Sequence, residues 1–176
     1  MRTRSRALFT LLTVLVVAGC GGSSTSPSST GASGRSSSSG GGTGGGSASP
    51  NGSVTFRVDG AQHTASAVTA TYSSGILSIG ATDTSRQTTL GFALSGSTAG
   101  TYTMGQLSPT NALLQVGNPV QGWQAGVGFG SGSITLTTLT ATTAVGTFAF
   151  SMVPVAGTGS VGNRAVTEGA FNVTIR

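Results

Sequence analysis

Alternation of apolar and polar residues is the main structural signal in the sequence. Val54, Phe56 and Val58 alternate with polar residues, and the same pattern recurs in residues 134–137, 147–152 and 171–176. A period of two, carried by β-branched and aromatic side chains, is typical of half-buried strands. The pattern predicts strands near residues 53–58, 61–72, 75–82, 87–95, 100–104, 123–129, 132–139, 144–153 and 166–175.

Turn-forming residues separate these stretches. Asp59-Gly60 suits a two-residue type I′ hairpin, because both central positions of that turn need positive φ. Only residues 111–116 show a weak helical periodicity, and an irregular edge strand is the alternative for part of them. We therefore predict an all-β fold, a single antiparallel β-sandwich or small barrel of about 8–9 strands.

The N-terminus has the three-part pattern of an export signal. MRTRSR carries three arginines, and residues 7–19 are apolar and uncharged. This run is shorter than the about 20 residues that a membrane-spanning helix needs. The pattern predicts a signal peptide over residues 1–19.

The only cysteine of the chain follows this apolar run directly. Val17, Ala18, Gly19 and Cys20 resemble the lipobox of bacterial lipoproteins, in which two small residues precede an acylated cysteine. The resemblance implies lipidation of Cys20 and a protein anchored in the bacterial cell envelope, at the outer membrane, on its periplasmic or surface face. The alternatives for Cys20 are a bystander thiol after a conventional signal peptide, or a cysteine packed in a short helix.

A low-complexity segment follows the cysteine. Residues 21–52 contain only Gly, Ser, Thr, Pro, Ala and Asn, apart from Arg35. Such a composition behaves as a flexible coil, with a root-mean-square reach of about 30 Å for this length. We therefore expect a lipidated cysteine and flexible linker over residues 20–52, and the all-β domain over residues 53–176.

The charge balance excludes nucleic acid as a partner. The formal net charge is +5, but three of the eight basic residues lie in the leader. The remaining five arginines are scattered and face three acids, and the chain has no lysine. A nucleic-acid site needs a basic cluster.

The domain carries few groups for catalysis. Its one histidine is His63, and its acids are Asp59, Asp83 and Glu168. A metal site would have to combine ligands from separate strands or turns, and no G-x-S-x-G nucleophile motif occurs. We expect a non-enzymatic protein without metal or cofactor, in which His63 is partly buried and hydrogen-bonded and Asp83 and Glu168 cap turns.

Three short motifs of the domain carry a second resemblance. "FRVDGAQHTA", residues 56–65, resembles the opening of a group of uncharacterised bacterial lipoprotein domains that begin F-x-V-[DN]-G. "GTFAF" and "GAFNV" resemble the closing strands of that group. His63 stands where the group commonly has tryptophan. The resemblance implies an exported all-β lipoprotein and supplies no activity.

Binding is the function class that remains. Trp123, Tyr102 and Tyr72 are candidates for an aromatic platform, and residues 105–122 are long for a connection in a compact domain. The alternative is that Trp123 fills the core. We expect a membrane-anchored, non-catalytic envelope or surface module. The other hypotheses are an adhesin-like module that binds a protein or glycan, and a barrel that holds an apolar ligand.

Overall fold

The computed structural model describes residues 51–105 and 109–176, and their regular structure consists of antiparallel strands. The predicted all-β class is confirmed. The leader, Cys20 and the linker up to residue 50 lie outside the described residues. The strands are β1 (Gly52–Val58), β2 (Ala61–Thr64), β3 (Ala67–Ser73), β4 (Ile76–Asp83), β5 (Thr88–Ser95), β6 (Gly100–Thr103), β7 (Asn111–Val116), β8 (Gln121–Ala125), β9 (Ser131–Leu139), β10 (Thr143–Pro154) and β11 (Arg164–Thr174).

The strands form one curled sheet, a half-barrel. Nine of them follow the hydrogen-bonded order β2-β1-β11-β10-β8-β7-β5-β4-β3, while β9 pairs with β10, and β6 with β9. Strand β10 turns the corner, since its residues up to Ser151 pair with β9 whereas Val153 and Pro154 pair with β8. We call the sheet of β2, β1, β11, β10, β9 and β6 the first wall, and the sheet of β8, β7, β5, β4 and β3 the second wall.

The turn between β1 and β2 has the predicted form. Asp59 and Gly60 form a two-residue connection, with φ of 49° and 86°. Glycine adopts positive φ without steric cost, and Asp tolerates it better than most residues. The hairpin prediction is confirmed.

Residues 61–72 were predicted as one strand, but they form two strands, β2 and β3. The chain crosses from the first wall to the second at Ala65 and Ser66. There the Ala65 N–H donates to the Val54 carbonyl at 2.9 Å, and the Ser66 N–H donates to the Thr82 carbonyl at 2.8 Å. Successive backbone N–H groups thus bond to different walls. The strand breaks here because of these long-range hydrogen bonds, which the local sequence does not reveal.

The weak helical interpretation of residues 111–116 is wrong. They form β7, which lies between β5 and β8 and pairs with both. Ala112 and Leu114 are buried on its inner face, and Leu113 is exposed on the other. Two neighbouring strands satisfy the backbone of this segment, and this long-range pairing overrides its local propensity.

Aromatic rings fill the space between the walls. The rings of the buried core phenylalanines have centroid separations of 4.8 to 6.3 Å, within the range of favourable ring contacts. They come from four strands, β1, β5, β10 and β11: Phe56, Phe92, Phe148, Phe150 and Phe171. Full burial of each such ring contributes roughly 1.5–3 kcal/mol, so this cluster is a main source of the stability of the domain.

Candidate functional site

A buried pair of titratable side chains joins the two walls. His63 lies on the inner face of the edge strand β2, and Asp83 is the last residue of β4. The Nδ1 atom of His63 is 3.2 Å from Oδ2 of Asp83, and the two side chains are 7% and 5% exposed. A buried acid–base pair beside a cleft is the strongest candidate site in the described residues.

The carboxylate of Asp83 is positioned by its own turn. The Ser85 hydroxyl donates to Oδ1 of Asp83 at 2.6 Å, and the Arg86 backbone N–H donates to the same oxygen at 3.2 Å. Aspartate favours such turns because its side chain replaces a backbone acceptor. The predicted turn-capping role of Asp83 is therefore confirmed, and the same carboxylate also holds His63.

The imidazole of His63 is held by two contacts. On one side its ring stacks on Phe56, with 5.1 Å between centroids and 8° between planes. These two residues are direct partners in the pairing of β1 with β2. On the other side lies the hydrogen bond to Asp83. The predicted hydrogen bond of His63 is confirmed, and its side chain is buried more completely than the partial burial that was predicted.

Burial and hydrogen bonding together set the protonation of the pair. Burial lowers the pKa of His63 below its ordinary value, which the charge and hydrogen bond of Asp83 oppose and the charge of Arg86 reinforces. Burial acts to raise the pKa of Asp83, but the hydrogen bonds from Ser85 and Arg86 and the proximity of His63 outweigh it, so this pKa is lowered. At neutral pH a neutral imidazole therefore faces a carboxylate.

The pair differs from a hydrolytic triad in its order of contacts. In a Ser-His-Asp site the serine hydroxyl bonds to the imidazole, and the imidazole bonds to the carboxylate. Here the Ser85 hydroxyl bonds to the carboxylate of Asp83, at the oxygen that does not face His63. This order positions groups and does not activate the serine as a nucleophile.

A shallow cleft of about 420 Å³ lies beside the pair. Arg86 stands at its edge, with 54% of the side chain exposed and Nε 3.9 Å from Oδ2 of Asp83. The hydroxyls of Ser66 and Thr84 in its lining are hydrogen-bonded to each other at 3.0 Å. The exposed guanidinium of Arg86 is the donor that the cleft offers to a small polar group.

A second polar cluster fixes the Asp59-Gly60 turn to the start of β11. The Arg164 guanidinium donates to Oδ2 of Asp59 at 2.5 Å, and the Ala165 N–H donates to Oδ1 at 2.9 Å. The hydrogen bond from Arg164 is the main cause that lowers the pKa of Asp59, followed by that from Ala165. Asp59 in the F-x-V-D-G motif thus has a structural role in this chain.

Trp123 belongs to the core. It lies on β8, is 0% exposed, and its Nε1–H donates to the Gly162 carbonyl at 2.9 Å. The guanidinium carbon of Arg164 lies 4.8 Å from the centre of its ring, a cation–π distance. This placement favours the core-filling interpretation of Trp123 over the surface platform.

The other predicted binding residues lie on separate strands. Tyr102 is on β6, partly buried, and its hydroxyl donates to the Thr98 carbonyl at 2.6 Å. Tyr72 is on β3, also partly buried against the core. Within the described chain, no ring contact joins Tyr72, Tyr102 and Trp123. Cys20 lies outside the described residues.

Two further features were not predicted from the sequence. Glu168 does not cap a turn; it lies inside β11 at an irregularity, with φ of 51°, and accepts a hydrogen bond from Nε of Arg57 at 2.8 Å. The pairing of His63 with Asp83 had only one local signal, the Asp-x-Ser pattern of the 83–85 turn.

We call the paired residues of this region the ionic seam: Arg57, Asp59, His63, Asp83, Arg86, Arg164 and Glu168.

Neither a metal-ligating cluster nor a membrane-spanning helix occurs among the described residues. In residues 51–105 and 109–176 no three or more His, Cys, Asp or Glu side chains form a group that could hold a metal ion. The same ranges hold no helix long and apolar enough to cross a bilayer.

The fold and the seam together define an all-β half-barrel domain whose walls are joined by the buried hydrogen bond between His63 and Asp83, while surface ion pairs connect strands of the first wall. The chain belongs to the family described as Domain of unknown function (DUF6252), which matches residues 51–173. No curated protein and no solved structure matches the chain. The matched range begins one residue before β1 and ends one residue before the end of β11, so the family corresponds to the half-barrel.

Proposed function

We propose that this protein is an exported, lipid-anchored lipoprotein of the bacterial cell envelope, and that its half-barrel is a non-catalytic module held near the membrane. One observation carries the proposal: a basic start, a short apolar run, Val17-Ala18-Gly19-Cys20 and a Gly/Ser-rich linker follow each other in the order that lipoprotein export requires. The linker leads directly to β1 of the domain.

The anchor is strong enough to retain the domain. Each buried methylene of an acyl chain contributes about 0.8 kcal/mol, and two chains together give stable membrane attachment where one gives only reversible binding. A linker with a reach of about 30 Å keeps the domain close to the lipid surface without fixing its orientation.

The non-catalytic role is supported by what the polar side chains of the seam contact. Asp59 and Glu168 are each bound to an arginine, and Asp83 is bound to His63, Ser85 and the Arg86 backbone. Catalytic groups need free lone pairs or protons directed at a substrate. The acids of the half-barrel instead connect strands.

The alternatives have less support. An adhesin-like module based on Trp123 requires an exposed indole, whereas this side chain is 0% exposed. A barrel for an apolar ligand requires an open interior, whereas the five core phenylalanine rings occupy the space between the walls. The cleft beside Arg86 remains the candidate surface for a polar ligand.

The anchor is tested by moving the thiol. The full chain and two variants, Cys20→Ser and the double variant Cys20→Ser with Ser23→Cys, are expressed in a bacterium fed labelled palmitate. We expect label and membrane association only in the unaltered chain, because the double variant has a cysteine that Ala18 and Gly19 no longer precede directly.

The double variant is the matched control for an unspecific thiol effect. Label in both cysteine-containing chains would show that any exposed thiol is acylated. It would contradict the interpretation of residues 17–20 as a lipobox. Membrane association of Cys20→Ser equal to that of the unaltered chain would contradict the anchor.

A further inference from the structure

The charged residues of the half-barrel lie outside one long stretch of its sequence. Between Arg86 and Arg164 the sequence contains no charged residue and no histidine. We call residues 87–163 the uncharged segment; it forms β5 to β10, and so contributes to both walls. The ionic seam lies on β1, the turn after it, β2, the end of β4 with the turn that follows, and β11.

Two apolar side chains project from this uncharged segment at a hairpin tip. The Gly126 N–H donates to the Phe129 carbonyl at 2.7 Å, and the Phe129 N–H donates to the Gly126 carbonyl at 3.1 Å, so a two-residue turn connects them. Val127 is 51% exposed and Phe129 is 53% exposed. We call residues 126–130 the glycine tip.

The conformation of the glycine tip is fixed by its backbone. Gly130 has φ of 59°, and a Cβ atom there would lie 2.3 Å from the Ser151 carbonyl oxygen. Only glycine satisfies both conditions. Gly128 has no heavy atom within 4 Å of its Cβ position, so the turn faces open space. The backbone of the glycine tip therefore has a fixed conformation, in which the Phe129 side chain is exposed to solvent.

We propose that the glycine tip contacts the lipid bilayer, with the Val127 and Phe129 side chains inserted at the interface. This inference rests on the proposed lipid anchor. Phe and Val gain free energy on leaving water, and aromatic side chains favour the membrane interface. A projecting tip fits between lipid headgroups, whereas docking to a protein requires a larger complementary surface.

Because the linker keeps the domain close to the bilayer, a contact of only two side chains is sufficient for binding. Two apolar side chains bind lipid weakly when the protein diffuses freely, but a flexible linker converts the contact into an intramolecular one with an effective concentration on the order of millimolar. The Asp59–Arg164 pair lies across β10 from the tip, because Ser151 pairs with Ser131 on one side and with Ala165 on the other, and these two charges are bound to each other.

The experiment places a fluorescent reporter at the tip. Phe129→Trp is compared with Val120→Trp, a matched control, since Val120 is 52% exposed and lies in the uncharged segment. Val120 directly precedes β8, whereas the glycine tip directly follows its other end. Each full-length variant is coupled through the Cys20 thiol to a maleimide lipid in phosphatidylcholine vesicles with brominated acyl chains. The buried Trp123 gives a common background, measured in the parent chain.

We expect bromine to quench the Phe129→Trp emission at least about threefold more than the Val120→Trp emission, because interfacial insertion brings the indole near the acyl chains. A Val127→Ser substitution added to Phe129→Trp should reduce that quenching. Equal quenching at the two positions, or none at Phe129→Trp in vesicle-bound chain with an unchanged near-ultraviolet circular dichroism spectrum, would overturn the proposal.

Chemical coupling separates this inference from the function on which it rests. The coupled chain is anchored whether or not cells acylate Cys20. Strong quenching at Phe129→Trp supports the tip contact even if the palmitate experiment fails. Absence of quenching with palmitate incorporated into the natural chain rejects the tip contact and retains the anchor.

Discussion

The ionic seam and the uncharged segment stabilise the same half-barrel in different ways. In the uncharged segment, inward side chains such as Phe92, Phe148 and Trp123 are almost completely buried. In the seam, ion pairs connect β1 and the turn after it with β11, and a hydrogen bond connects His63 of β2 with Asp83 at the end of β4. Apolar burial provides most of the stabilisation of a domain, while polar pairs act through geometry. The seam therefore mainly determines which strand edges meet.

The short edge strand β2 shows why the seam is needed. It has four residues, of which only His63 is buried. An edge strand with so little apolar area gains little from packing and leaves unpaired backbone groups. The bond from His63 to Asp83 fixes this strand against the second wall.

The largest effect is expected in the uncharged segment. Trp123→Ala should lower the free energy of unfolding by about 3–5 kcal/mol, because it removes a fully buried indole and leaves a cavity. Urea denaturation followed by circular dichroism measures the loss. An unchanged midpoint would contradict the core role and restore the surface platform.

A smaller loss is expected where the seam is buried. Asp83→Ala should cost about 2–3 kcal/mol, because it leaves the Nδ1 atom of His63 and the Arg86 N–H without their acceptor. The same denaturation assay applies. Asp83→Asn is the conservative control and should cost less, since its amide oxygen still accepts one of these bonds. Equal stability of Asp83→Ala and the parent would mean that the pair contributes nothing.

The pH dependence should separate the two regions. Burial lowers the pKa of His63, so the unfolded chain binds a proton more readily than the folded one. Stability from this group is complete above the ordinary histidine pKa of about 6.5 and is lost as the pH falls through the lower folded value. The lowered pKa values of Asp59 and Asp83 add a second loss below about pH 4.

His63→Phe isolates the first part of this pH profile. The substitution keeps an aromatic ring against Phe56 but removes the titrating group. We expect the midpoint of urea denaturation between about pH 7 and 5 to become independent of pH in this variant. If the midpoint of the variant depends on pH as strongly as that of the parent, a titrating group other than His63 causes the pH dependence.

The smallest effect is expected at the exposed end of the seam. Glu168→Ala breaks the bond with Arg57, but the two side chains are 71% and 39% exposed. Water and salt screen such pairs, so the change should stay within about 0.5 kcal/mol. A loss as large as that of Asp83→Ala would mean that surface pairing, not burial, holds the seam together.

Local patterns predicted the parts of the fold that local physics controls. Alternation of apolar and polar residues identified β1, β5, β9 and β10 closely, because each has one face in the core. The Asp59-Gly60 turn followed from the positive φ that the hairpin requires. The conformation of these segments is determined by residues that are close together in the sequence.

Long-range contacts decided the rest. The break at Ala65 and Ser66 depends on carbonyls of two different walls, and β7 depends on neighbours on both sides. The candidate site shows the same limit, since twenty residues separate His63 from Asp83 in the sequence. The sequence predicted the turn at residues 83–85, but it did not predict that Asp83 pairs with His63.

The mass of the N-terminal peptide, from protein isolated from the cells that produce it, decides whether the proposed lipid anchor exists. After proteolysis, mass spectrometry should find a peptide that begins at Cys20 and carries a diacylglyceryl group on its sulfur. A peptide that continues upstream through Gly19, with a free thiol at Cys20, would rule out the proposed lipid anchor.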